Sequence, residues 1–150
     1  MTFVVTAFFV FEFSKYRRED NFSYIVGVIW VMENLKRGQI VWVDFPEVDD
    51  ALGTHVQCGR RPAIILSNNT ANAKSPIISI AAITSRKKKP LPVHVPVKTK
   101  SCALRQESTC LLEQMMTIDK SSIIGYIGDA TDDCMRAIEK AIRIQLGMES

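Results

Sequence analysis

The strongest constraint on this chain is a succession of short β-forming runs separated by turn residues and ended by one segment of helical period. From Gln39 onward, "QIVWVDF", "PAIILS", "SPIISIAAIT", "VHVPV", "STCLLEQ" and "IIGYIG" are rich in β-branched and aliphatic residues. Each has the length of an ordinary strand, and polar, glycine or proline residues punctuate them. Five or six such strands at this spacing predict a mainly β domain, either a small barrel or a sandwich. In "TDDCMRAIEKAIRIQLGM" the period changes: Cys134, Ile138, Ala141, Ile142 and Leu146 recur at helical spacing, behind a Thr131 or Asp132 cap and two acids in the first turn. That pattern predicts one amphipathic C-terminal helix whose apolar stripe covers the sheet.

Length limits the domain count. At 150 residues the chain suits one domain able to bury a core without disulfide or metal staples. Its 47% hydrophobic and 23% charged residues are globular values, and a net charge of +3 is too mild to announce a polyanionic partner, so the placement of the charges carries the information. Cys58, Cys102, Cys110 and Cys134 form no C-x-x-C pair, which removes the zinc-ribbon and thioredoxin-type readings and points to free thiols in a reducing cytoplasm.

The N-terminus is unlike the rest. "MTFVVTAFFVFEF" lacks a basic leading region, is interrupted by Glu12, runs into "SKYRRED" rather than a cleavage site, and is too short to span a bilayer. The second apolar run, Tyr24 to Met32, is shorter still, so no membrane anchor is expected. Residues 1–31 read as an N-terminal extension or a misassigned start, and residues 32–150 as the domain, because the strand pattern follows directly on Met32 and "ENLKRG".

Functional candidates gather beside the strands. Arg61 precedes Pro62, which holds it in extended backbone, and the following "AIIL" anchors that backbone in the core. Arg60, its neighbour on an extended chain, should point to the opposite side. On composition alone, the simplest role for Arg61 is a structural pair with Asp44 or Glu113. Thr84 ends the third run beside Ser85 and the basic stretch Arg86, Lys87, Lys88, Lys89, either a solvated surface or a phosphate-tracking patch. His55 stands in the long first loop as an acid or base without an evident partner, whereas His94 reads as a structural strand residue. Glu113 and Gln114 suit either base contacts or core polar pairing. No P-loop, H-E-x-x-H or G-x-S-x-G motif occurs, so nucleotide-triphosphate chemistry and metal hydrolysis have no support.

In order along the chain, "KRGQIVWVDFP", "GRRPAIILSNN", "SPIISIAAITS", "LPVHVPV" and "LLEQMMTIDK" resemble the MazF/PemK family of toxin endoribonucleases over roughly Lys36 to Met148. The resemblance implies an SH3-like small β-barrel with a C-terminal helix, a symmetric homodimer, a cytoplasmic setting and a cognate antitoxin. It also implies sequence-specific cleavage of single-stranded RNA with no metal or other cofactor. By motif, Arg61 in "RP" and Thr84 in "AAIT" match the catalytic pair. Thr54, His55, Gln57, Arg60, Ser85, Arg86, Lys87 and Gln114 are then the expected RNA-binding residues. RNA brings its own nucleophile, the 2′-OH, so cleavage should leave a 2′,3′-cyclic phosphate or 3′-phosphate and a 5′-OH. Two rivals share parts of this pattern: a CcdB-like toxin that inhibits gyrase by protein contact, and a non-catalytic RNA-binding module.

Overall fold

Alternation along the strands sorts apolar side chains onto two faces, and each face builds its own core. The computed structural model describes residues 34–46, 55–101 and 103–148. The expected extension at 1–31, and with it Thr54 and Cys102, lies outside the described residues. Among those residues the chain forms β1 (Gln39–Phe45), β2 (Gly59–Ile65), helix α1 (Asn69–Lys74), β3 (Ile77–Thr84), β4 (His94–Pro96), β5 (Thr109–Asp119), a 3-10 turn (Lys120–Ser122), β6 (Ile123–Asp129) and helix α2 (Asp132–Gln145).

The strands make one antiparallel sheet in the order β4-β5-β3-β2-β1-β6. The mainly β fold with a C-terminal helix is as the pattern foretold, but no strand ladder closes the sheet into a barrel. β4 and β6 are its edges, tied beyond their ends by an isolated Thr99–Ala130 bridge, with Lys100 N donating to Asp129 O and Thr131 N to Lys98 O. The reason is local: β4 is three residues long and ends in Pro96, which has no N–H to extend a ladder.

Ile40, Ile64, Ala81, Ile83, Cys110 and Leu112 fill one face, where Cys134, Ile138 and Ala141 of α2 cover them. Val41, Val43, Phe45, Ala63, Ile65, Ile78, Ile80, Ala82, Ile118 and Ile123 fill the other. Thr131 is the cap of α2, its side chain accepting from Cys134 N, and Asp132 and Asp133 favour the positive end of the helix dipole. Leu146 departs from the expected stripe: it lies past the last helical residue and is 59% exposed. There the helix closes with Gly147 at φ 67°, Gly147 N donating to Ile144 O and Met148 N to Arg143 O, the glycine-ended geometry that satisfies final carbonyls. No helix among the described residues is long and apolar enough to cross a membrane.

Two elements differ from the pattern. β2 starts at Gly59, so both arginines belong to the strand and do not precede it. α1 was not foreseen, because six residues are too few to show a period; Asn68 caps it by accepting from Ala71 N.

Candidate active site

Strand register decides which polar residues meet. β2 and β3 pair Ala63 with Ala82, Ile64 with Ala81 and Ile65 with Ile80. Carried on by two residues, that register sets Arg61 across from Thr84; the ladder itself stops because Pro62 has no N–H. Ala63 and Ala82 both face the second core, and Arg61 and Thr84, two residues on along each strand, share that side. The two residues expected to be catalytic therefore stand together at one end of the sheet.

Arg61 is half-buried, and its Nε donates to the Cys58 carbonyl at 2.7 Å. This bond orients the guanidinium while leaving its outer nitrogens without an acceptor among the described residues. The structural pairing open to Arg61 does not occur there. Asp44 lies 3.9 Å from Arg60 and Glu113 lies 2.8 Å from His94, so both carboxylates have other partners. A half-buried cation with no counter-ion among the described residues is a candidate site for an anion.

Thr84 is buried, and its Oγ1 accepts from Arg86 N at 3.2 Å. The hydroxyl keeps its own hydrogen for donation. The same bond turns the chain out of β3 into the exposed run from Ser85 to Lys89, which brings Ser85, Arg86 and Lys87 to the edge of the site.

The His55–Cys58 segment enters β2 from the other side. Gln57 N donates to Gln114 Oε1 at 3.2 Å, and Gln114 Nε2 donates to His55 O at 3.1 Å. Gln114 is thus brought to the site, but both ends of its carboxamide are spent on backbone. The His55 side chain is exposed, and the buried Oε1 of Gln57 has no hydrogen-bond partner among the described residues. Arg60 is not brought to this face: it is exposed and neighbours Asp44, its partner in the register.

His94 is structural, as its place in the strand pattern implies: its side chain is 8% exposed, Nδ1–H donates to Lys89 O at 3.1 Å, and Nε2 meets Glu113. Sequence reasoning missed how it comes to matter. β5 pairs Leu111 with Ala82 and Met115 with Ala81, so Leu112, Glu113 and Gln114 have no partner in β3 and form a bulge. Simple alternation hides a bulge; the only signal was a charged and an amide residue in sequence within an apolar strand. Cys110, by contrast, belongs to the core: burial pushes its thiol well above the ordinary range, with Cys134 and Glu113 adding to the effect.

A six-stranded antiparallel sheet under one C-terminal helix, with an arginine that has no acidic partner among the described residues set across from a threonine and a lysine-rich loop following it, is the arrangement to compare with known proteins. Residues 36–146 match the family described as "PemK-like, MazF-like toxin of type II toxin-antitoxin system". The chain is similar to a protein of Staphylococcus saprophyticus named Endoribonuclease MazF, 33% identical over 117 residues, spanning 77% of this chain and 94% of that relative. Among solved structures it is similar to MazF from Deinococcus radiodurans, with a TM-score of 0.63, 25% identity and coverage of 76% of this chain and 97% of that one. A mycobacterial endoribonuclease in complex with its cognate antitoxin shares the fold, with a TM-score of 0.64, 21% identity and coverage of 78% and 99%. This chain belongs to the PemK-like, MazF-like family of toxins of type II toxin-antitoxin systems.

Proposed function

We propose that the protein is a sequence-specific, metal-independent endoribonuclease toxin that cuts single-stranded RNA by attack of the 2′-OH on the adjacent phosphorus. The observation that carries this reading is the guanidinium of Arg61, without an acidic partner among the described residues, set across from Thr84 on one face of the sheet. In the reaction the 2′ oxygen bonds to phosphorus, the bond to the 5′ oxygen breaks, and charge grows on the non-bridging oxygens. A forked, permanently charged donor and a hydroxyl suit that charge and geometry. Arginine stays protonated near neutral pH, so Arg61 acts as stabiliser and donor rather than as base; the 2′-OH proton passes to water or to His55.

Ser85, Arg86 and Lys87 would follow the RNA backbone on one side, with Thr54, His55 and Gln57 on the other. Arg60, on the opposite face, would meet RNA only where the strand wraps the edge of the sheet. The named relatives support an endoribonuclease activity and, through the mycobacterial complex, control by a cognate antitoxin. A homodimer acting in the cytoplasm completes the reading.

Incubating the purified protein with a long RNA and with the same sequence as DNA, each with and without EDTA, tests it. The expected result is RNA cut with or without chelator, leaving 5′-OH ends and cyclic or 3′-phosphate ends, and DNA left intact. Cleavage abolished by EDTA and restored by metal would refute the mechanism, while intact RNA would favour the gyrase-directed or RNA-binding rival.

A further inference from the structure

The bulge in β5 stands between the two segments that flank Arg61 and Thr84, and it touches both. Its last residue, Gln114, holds the backbone of His55 and Gln57 through a donor and an acceptor. Its middle residue, Glu113, meets His94 at 2.8 Å, and the other ring nitrogen of His94 donates to the Lys89 carbonyl where the basic loop ends. Its first residue, Leu112, donates from its N–H to Val93 O just before β4. Three consecutive residues that pair with nothing in β3 thus grip the chain on either side of the site.

We propose that the Leu112–Gln114 bulge is the organiser of the site, with Gln114 positioning the His55–Cys58 segment and Glu113, through His94, positioning the basic loop. A regular ladder would carry these residues on along β3; the bulge leaves their backbone unpaired there and shifts the register between Leu111 and Met115. The first clamp has two consequences. It orders the backbone that carries the Cys58 carbonyl to Arg61 Nε, and it fixes the backbone of Gln57 beside the site. Gln114 on this account is a positioning residue. The second clamp sets where Arg86 and Lys87 stand relative to Thr84. The loop geometry stands by itself; only its catalytic consequence rests on the RNA-cleaving reading.

Amide hydrogen exchange on the RNA-free protein reads the first clamp without substrate. Loss of one hydrogen bond of ordinary worth predicts exchange at the Gln57 amide faster by roughly 5- to 10-fold in Gln114→Ala, with the amides of α2 unchanged. Gln114→Glu keeps an acceptor for Gln57 N–H and should fall between wild type and Gln114→Ala. Limited trypsin digestion reads the second clamp: Glu113→Ala should be cut faster than wild type between Arg86 and Lys89, and Gln114→Ala should not. With RNA, Glu113→Ala should raise KM while kcat stays within about 2-fold, as expected when binding geometry is lost and the reacting groups remain, whereas Gln114→Ala, which loosens the carbonyl that orients Arg61, should raise KM and lower kcat. The proposal is overturned if Gln57 exchange and loop digestion are both unchanged. It is equally overturned if Gln114→Ala alters the choice of cleavage site with Gln57 exchange unchanged, which would make Gln114 a direct reader of a base. Should wild type cut no RNA, the exchange and digestion results still decide the clamps, and only the parent reading fails.

Discussion

Replacing Arg61 with lysine keeps the charge and removes the fork, which makes it the most informative single change in this protein. The guanidinium uses Nε on the Cys58 carbonyl at 2.7 Å and its outer nitrogens have no acceptor among the described residues; on the proposed reading they meet the phosphate. A lysine ammonium at the end of a flexible stem cannot hold that carbonyl and offer a planar pair of donors together. Arg61→Lys thus forfeits about one charge-assisted hydrogen bond to the transition state, worth roughly 1.5–3 kcal/mol. At about 1.36 kcal/mol per decade this predicts kcat/KM lower by roughly 10- to 150-fold. Arg61→Ala also loses the charge, and by analogy with the removal of an oxyanion donor it should lose about 100- to 1000-fold. Stability should barely follow, because Arg61 has no ion pair among the described residues and its single bond to Cys58 O is worth about 1 kcal/mol. The assay is steady-state cleavage of a fluorogenic RNA, with thermal unfolding followed in parallel. An alanine variant that unfolds like wild type and cuts within about 3-fold of its rate would refute the electrostatic role given to Arg61.

Thr84→Val keeps the shape and removes the hydroxyl, so the cleavage rate should fall by about 10- to 100-fold if the lost hydrogen bond served the transition state, while denaturant unfolding shows a cost near 1 kcal/mol from the freed Arg86 N–H. Ile138→Ala empties a wholly buried position between α2 and the sheet; chemical denaturation should show a loss of about 2–5 kcal/mol. Among the three described thiols, mass-mapped alkylation near pH 8 should label the half-buried Cys58 first and leave Cys110 unmodified until unfolding, since burial holds that thiol protonated. Labelling of native Cys110 as fast as Cys58 would contradict its placement in the core.

Much of the fold was legible because it rests on local pattern. β1 falls on "QIVWVDF" residue for residue, and α2 has its cap and buried stripe where the period and Thr131 indicated, apart from Leu146. β5 runs on to Asp119, farther than "STCLLEQ" suggested, because Met115 to Asp119 find partners in β3 after the bulge. How the sheet's two edges meet was beyond reach for a similar reason: a three-residue β4 ending in Pro96 builds no ladder with β6, and only the Thr99–Ala130 bridge and its flanking bonds tie them. Of the candidate site, the motif "RRP" singled out Arg61 and "AAIT" singled out Thr84. The carboxylates that competed for Arg61 were dismissed only in three dimensions, where Arg60 and His94 occupy them.

Composition, strand period and family motifs thus sufficed for the class of fold, the helix that covers it, the toxin family and the two residues of greatest interest. These are properties that short stretches of chain carry within themselves. The tertiary structure alone decided that Arg61 and Thr84 stand opposite each other, that Arg61 has no carboxylate partner among the described residues, and that one bulge holds both flanking segments. Each of these depends on register between strands far apart in sequence, and register follows from the collective packing of two core faces rather than from any one run of residues.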